Sequence, residues 1–133
     1  MKTKELSLDT GTRHLVDVTG EVAAFCRGEG DGLVHVFAPH ATAGLALMEL
    51  GAGSEPDVEE MLDRLLPRDD RYTHRHGSPG HGADHVLPVL VSPSLVLPVI
   101  DGRLALGTWQ SVVLVDPNDD NPHRTLRLSF IAG

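Results

Sequence analysis

Apolar and polar positions change their spacing along this chain, and the changes mark out its elements. Leu6 and Leu8 alternate with polar neighbours, the period of a half-buried strand. Asp17 to Glu21 reads as the opening of a short helix that runs through Phe25 and Arg27, with Gly28 and Gly30 ending it. Leu33 to Ala38 and Ala43 to Leu50 are apolar runs of strand length, separated by Pro39. From Ser54 the period lengthens. Val58, Met61, Leu62, Leu65 and Leu66 form one helical stripe, with Ser54 as N-cap, Pro56 in the first turn and Asp57 completing a capping box. Pro67 stops that helix.

The pattern then lapses. Residues 67 to 82 are rich in Arg, Asp, His, Gly and Pro, and so long a loop in a small domain is commonly a functional one. Ala83 to Val91 fits a short helix that carries Pro88. Ser94 to Ile100 is Val- and Leu-rich. Asp101-Gly102 is a favoured pair for a tight hairpin turn, and Arg103 to Val115 reads as one long strand with Gly107 as a bulge or point of close approach. After an Asp- and Asn-rich turn, Pro117 to Pro122, the strand Arg124 to Ile131 places Leu126, Leu128 and Phe130 on one face. The sum is a single α+β domain, residues 1–133, with β-sandwich-like sheets flanked by a few short helices.

Composition narrows the function. The net charge is −8, there is no basic run and aromatic residues make up 4%. That argues against nucleic acid, whose phosphates call for Lys and Arg. No apolar run reaches membrane-spanning length, and the N-terminus lacks a signal-peptide core, so the expected setting is cytoplasmic with no membrane partner. Cys26, the one cysteine, falls among apolar residues and reads as buried packing.

The unusual feature is the count of eight histidines, of which His40, His74, His76, His81 and His85 fall in one stretch. Imidazole is both the commonest metal ligand and the natural proton carrier near pH 7. Three segments place polar groups where packing would call for apolar ones. His40-Ala41-Thr42-Ala43-Gly44, followed by Glu49, joins two apolar runs. Tyr72-Thr73-His74-Arg75-His76 precedes His81 and His85; here His85 reads as functional, and His76 and His81 as solvated loop residues. Gly107-Thr108-Trp109-Gln110 sets a glutamine beside the only tryptophan, as in a pocket wall. Arg124 could clamp an anion; a surface pair with Asp116, Asp119 or Asp120 is the plainer reading.

Several of these segments resemble the YjbQ-like family, of the secondary thiamine-phosphate synthase type. His40 to Leu45 is similar to its histidine–threonine strand motif, Tyr72-Thr73-His74 to its Tyr-x-His, and Ala83 to Val86 to the start of its next helix. Ser94 to Val99, Gly102 and Leu106-Gly107-Thr108-Trp109-Gln110 form the most specific block. Met48 and Leu50 stand where the family has asparagines around Glu49, and Leu87 where it often has lysine. The resemblance implies a homotrimer, a metal site and a small phosphorylated metabolite as ligand. It also implies the joining of a hydroxymethylpyrimidine diphosphate to a thiazole phosphate with release of diphosphate. On that footing His40, Glu49 and His85 are the expected catalytic residues. Thr42, Trp109, Gln110 and Arg124 are the expected substrate contacts, and His40, His74 and His85 the expected metal ligands. The histidines point to Zn²⁺ or a similar ion, the synthase reaction to Mg²⁺.

Overall fold

Strand alternation and a few helical stripes give two antiparallel sheets and three short helices in a computed structural model that describes residues 1–133. In chain order the elements are β1 (Lys2–Asp9), β2 (Leu15–Asp17), α1 (Thr19–Cys26), β3 (Gly32–Phe37), β4 (Gly44–Met48), α2 (Ser54–Leu65), α3 (Gly82–Leu90), β5 (Ser94–Ile100), β6 (Arg103–Leu104), β7 (Ser111–Val115) and β8 (His123–Ala132). One sheet has the order β1-β8-β3-β5-β6 and the other β2-β7-β4.

The layers follow from which residues must leave water. Val34, Val36, Leu97, Val99, Leu126, Leu128 and Phe130 cover the inner face of the larger sheet and meet Val16, Leu45, Val112 and Leu114 of the smaller one, with Val22, Phe25 and Cys26 of α1 closing the side. The other face of the smaller sheet carries Val113 and Val115. It packs on Leu62 and Leu66, at and just beyond the end of α2, and on Ala83 and Leu87 of α3. β7 is therefore buried on both faces, which is why Val112 to Val115 is an unbroken apolar run.

The α+β class and the sandwich agree with the sequence reading; several details differ. β2 is too short to show a period and escaped that reading. The long strand expected over Arg103 to Val115 is broken. β6 ends after two residues, residues 105–110 are irregular, and β7 joins the other sheet. The Asp101-Gly102 turn is as expected, with φ of 51° and 72° at the two residues, the mirror-image turn that suits strand twist. Ser54 is the first residue of α2 rather than its cap. Gly53 holds the cap position at φ 96° with no side-chain cap bond, and Glu55 instead accepts the backbone N–H of Gly51 at 2.7 Å. No helix is long and apolar enough to cross a membrane.

Candidate functional site

The long segment between α2 and α3 folds back on the start of α3. Tyr72 donates its hydroxyl to Pro67 O (2.8 Å), and the backbone turns Ser78–His81 and Gly80–Ala83 lead into the helix. Four imidazoles gather as a result. Ring centroids lie 3.9 Å apart for His74 and His76, 4.0 Å for His74 and His85, and 4.7 Å for His81 and His85. One ring nitrogen from each of His74, His76 and His85 falls within 4.8 Å of the others.

Two observations say that this cluster fits a metal. Nδ1 of His74 is buried and has no hydrogen-bond partner. Such an atom costs roughly 1–3 kcal/mol unless something meets it. Burial also disfavours the imidazolium forms of His74 and His85, and the neighbouring imidazoles push the same way, so both titrate below the ordinary histidine range. A neutral ring is the form that coordinates. With three nitrogen donors, the set suits Zn²⁺ or a similar transition ion rather than Mg²⁺.

His81 is fixed from behind. Its Nδ1 lies 3.1 Å from Asp84 Oδ2 and 3.2 Å from Asp120 Oδ2, and its Nε2 lies 3.0 Å from Nε2 of His85. Asp84 has no exposed surface and is gripped by both terminal nitrogens of Arg68. Asp120 accepts the backbone N–H of Ser78 at 3.1 Å, which holds its carboxyl below the usual range. Gly77 makes room for this packing. Its φ is 83°, and a Cβ there would sit 2.6 Å from the His81 ring and 2.9 Å from Asp120 Oδ2.

The other expected site residues lie outside the imidazole cluster. His40 is not among the clustered imidazoles. Its Nε2 sits 3.0 Å from both the backbone N and O of Thr125, just past the point where the β3–β8 ladder ends, and burial lowers its pKa. Arg124 is not a surface residue: it is 5% exposed and makes a buried pair with Asp116, Nε to Oδ2 at 2.6 Å. The plainer reading failed here because β8 turns Arg124 inward, beneath the 117–122 turn. Thr42 Oγ1 accepts from Arg124 Nη2 (2.9 Å) and Asn118 Nδ2 (3.3 Å). Glu49 is exposed just after β4. Trp109 is 74% exposed in the irregular stretch before β7, and Gln110 turns its Oε1 back to the N–H of Gly107 at 2.8 Å.

Of the three metal ligands that the resemblance implied, His74 and His85 come together and His40 does not. His76 and His81 join them, against the reading of both as idle loop residues, and Arg68, Asp84 and Asp120 were not singled out as site residues. The one local signal was His81-Gly82-Ala83-Asp84-His85, whose i, i+3 and i, i+4 spacings bring these side chains to one face.

A cavity of about 280 Å³ opens beside the cluster, lined by His74, Arg75, His76, Ser78 and His81 among others. A larger one of about 620 Å³ lies between α1 and the β5–β6 hairpin and presents Arg27 and Arg103. It contains no histidine, so chemistry rather than volume favours the smaller.

Residues 4–133 match the family described as UPF0047 protein YjbQ-like. The chain belongs to that family. It is similar to the UPF0047 protein Rv2556c of Mycobacterium tuberculosis, 59% identical over 133 residues and the full length of both chains. A UPF0047 protein of Archaeoglobus fulgidus is 34% identical over 123 residues, covering 92% of this chain and 96% of that one. Among solved structures, the hypothetical protein APE1520 from Aeropyrum pernix K1 superimposes with a TM-score of 0.89 at 31% identity, over all of both chains. A YbjQ-like protein from Sulfolobus solfataricus P2 gives a TM-score of 0.90 at 21% identity over 99% of this chain and 97% of that one, a likeness of fold. The YjbQ-like fold thus carries, in this member, a cluster of imidazoles at the start of α3.

Proposed function

We propose that this YjbQ-like chain is a metal-dependent enzyme acting on a small phosphorylated metabolite, with Zn²⁺ or a similar ion held by His74, His76 and His85. The observation that carries the reading is the convergence of three ring nitrogens within 4.8 Å, together with the unpartnered buried Nδ1 of His74. Such an ion would supply Lewis acidity toward a phosphoryl oxygen or acidify a bound water. Arg75 lines the cavity together with Asp69 and Asp70, so the ion would supply much of the positive charge that an anionic group needs there.

The family resemblance makes secondary thiamine-phosphate synthesis the first reaction to assay. Loss of diphosphate leaves a charge to be neutralised, a task for a metal ion or an arginine. The nitrogen-rich donor set favours a second reading, metal-assisted hydrolysis of a small phosphorylated substrate, because Mg²⁺ takes oxygen ligands and Glu49 stands exposed outside the cluster. The homotrimer belongs to the same proposal. It is supported by Leu33, Val96, Ile100 and Ile131, which expose apolar surface on the larger sheet.

Elemental analysis of the untagged protein and of a His74→Ala, His85→Ala double variant tests the site. About one transition ion per chain, absent from the folded variant, is the expected result; equal metal in both removes the site. With metal in place, formation of thiamine phosphate supports the synthase. Hydrolysis of phosphorylated substrates without it supports the second reading, and binding without any turnover leaves a metal- or metabolite-binding module. A monomer by light scattering at micromolar concentration removes the trimer.

A further inference from the structure

We propose that Asp84 and Asp120, acting through His81, fix His85 as its Nε2–H tautomer and so leave Nδ1 as the atom that His85 offers to a metal. The first step is the chemistry of the carboxylates. Both Asp oxygens near His81 Nδ1, at 3.1 and 3.2 Å, act as acceptors only, so the proton of a neutral His81 ring belongs on Nδ1. Its Nε2 is then a bare lone pair. The group facing that lone pair is Nε2 of His85, 3.0 Å away, and two bare nitrogens do not meet at that distance without a proton between them. With both rings neutral, His85 therefore donates from Nε2, and its Nδ1 carries the free lone pair.

The arrangement is built to hold that proton pattern. Asp84 is wholly buried, and Arg68 binds both of its oxygens. Asp120 is tied by the N–H of Ser78. His81 is itself buried, so it cannot swing away to water. Metal-bound histidines ordinarily give their second N–H to a carboxylate or a carbonyl. Here a second imidazole takes that place and passes the orientation on from two aspartates. Asp84 and His81 are positioning residues in this scheme. The ligand half of the inference rests on the metal reading above, whereas the tautomer half stands without it.

Long-range ¹H–¹⁵N correlation spectra of ¹⁵N-labelled, metal-free protein at pH 8 report which ring nitrogen of each histidine is protonated. The expected pattern is Nδ1–H for His81 and Nε2–H for His85. Addition of Zn²⁺ should then shift Nδ1 of His85 and leave its Nε2–H in place. An Nδ1–H tautomer for His85 in the metal-free protein overturns the proposal, as does metal bonded to Nε2 of His85, the geometry in which His81 and His85 are both ligands. The expected tautomers with no response of any histidine to Zn²⁺ overturn the ligand half and the metal reading together, while upholding the tautomer half. His81→Phe keeps a ring of similar size without the acceptor. It should scramble the His85 tautomer and weaken Zn²⁺ binding by ~10–100-fold, the usual effect of losing an outer partner. Unchanged Zn²⁺ affinity and an unchanged His85 spectrum in that folded variant also overturn it.

Discussion

The carboxylate of Asp120 reaches the Nδ1 of His81 at 3.2 Å, joining the turn between β7 and β8 to the loop that precedes α3. The joint continues inward. Asp120 donates its backbone N–H to Asn118 Oδ1 at 3.0 Å, Asn118 donates to Thr42, and Thr42 accepts from Arg124, which is paired with Asp116. A continuous polar chain thus runs from the buried Arg124–Asp116 pair to the imidazole cluster. Thr42 and the clustered histidines, which belong to two separate segments of the sequence, are thus joined by one network.

Cutting the link at its outer end should disturb the site more than the fold. Asp120 is partly exposed, so Asp120→Ala should cost little stability while lowering Zn²⁺ affinity by about 10-fold. Competition with a chelator measures the second quantity and urea unfolding the first.

At the inner end the order reverses. Arg124→Ala leaves Asp116 buried without its partner and Thr42 without one of its donors, so a loss of roughly 3–5 kcal/mol is expected. The urea midpoint should fall with an unchanged slope.

Acid should weaken the metal-free protein in a defined window. His74 and His85 titrate below the ordinary histidine range because burial disfavours their charged forms. Between the depressed folded values and the unfolded value of about 6.5, the unfolded chain binds more protons, so stability rises with pH there. Their contribution is complete above about pH 6.5 and is lost as pH falls through the folded values. Thermal midpoints of wild type and of the His74→Ala, His85→Ala variant, followed from pH 8 to pH 5, should show the smaller acid-side fall in the variant.

Gly77→Ala should damage the site from the backbone side. The residue adopts φ 83°, and the added methyl would press on the His81 ring and Asp120. A cost of about 1–3 kcal/mol is expected from the backbone conformation alone, with Zn²⁺ affinity reduced in the folded fraction. Trp109→Ala, by contrast, removes a side chain that is mostly in water. The stability of the chain should stay within about 0.5 kcal/mol.

Much of the fold was legible because its elements are amphipathic in a regular way. β5 and β8, with Leu97 and Val99 or Leu126, Leu128 and Phe130 turned inward, declare themselves by alternation, as does the hairpin at Asp101-Gly102. β2 has three residues and no period to read. The break between β6 and β7 was hidden because Leu104 and Leu106 continue an apolar spacing although the chain is changing sheets. The helical stripe of α2 was only half informative: Leu62 is buried, while Met61 and Leu65 stay exposed. At the site, His74 and His85 were singled out by residue type. His40 shared that type but serves the free edge of β8, a role fixed by where β3 happens to end. Arg124 and Asp116 were misjudged for a related reason, since eight residues of separation say nothing about which way two side chains turn.

β7 remains the strand on which the rest depends. Val112 and Leu114 face one apolar core while Val113 and Val115 face the other, so the two cores share a common wall. Neither can melt and leave its neighbour intact. Heating should therefore record a single calorimetric transition, with the amides of Val113 and Leu114 among the last to exchange with solvent.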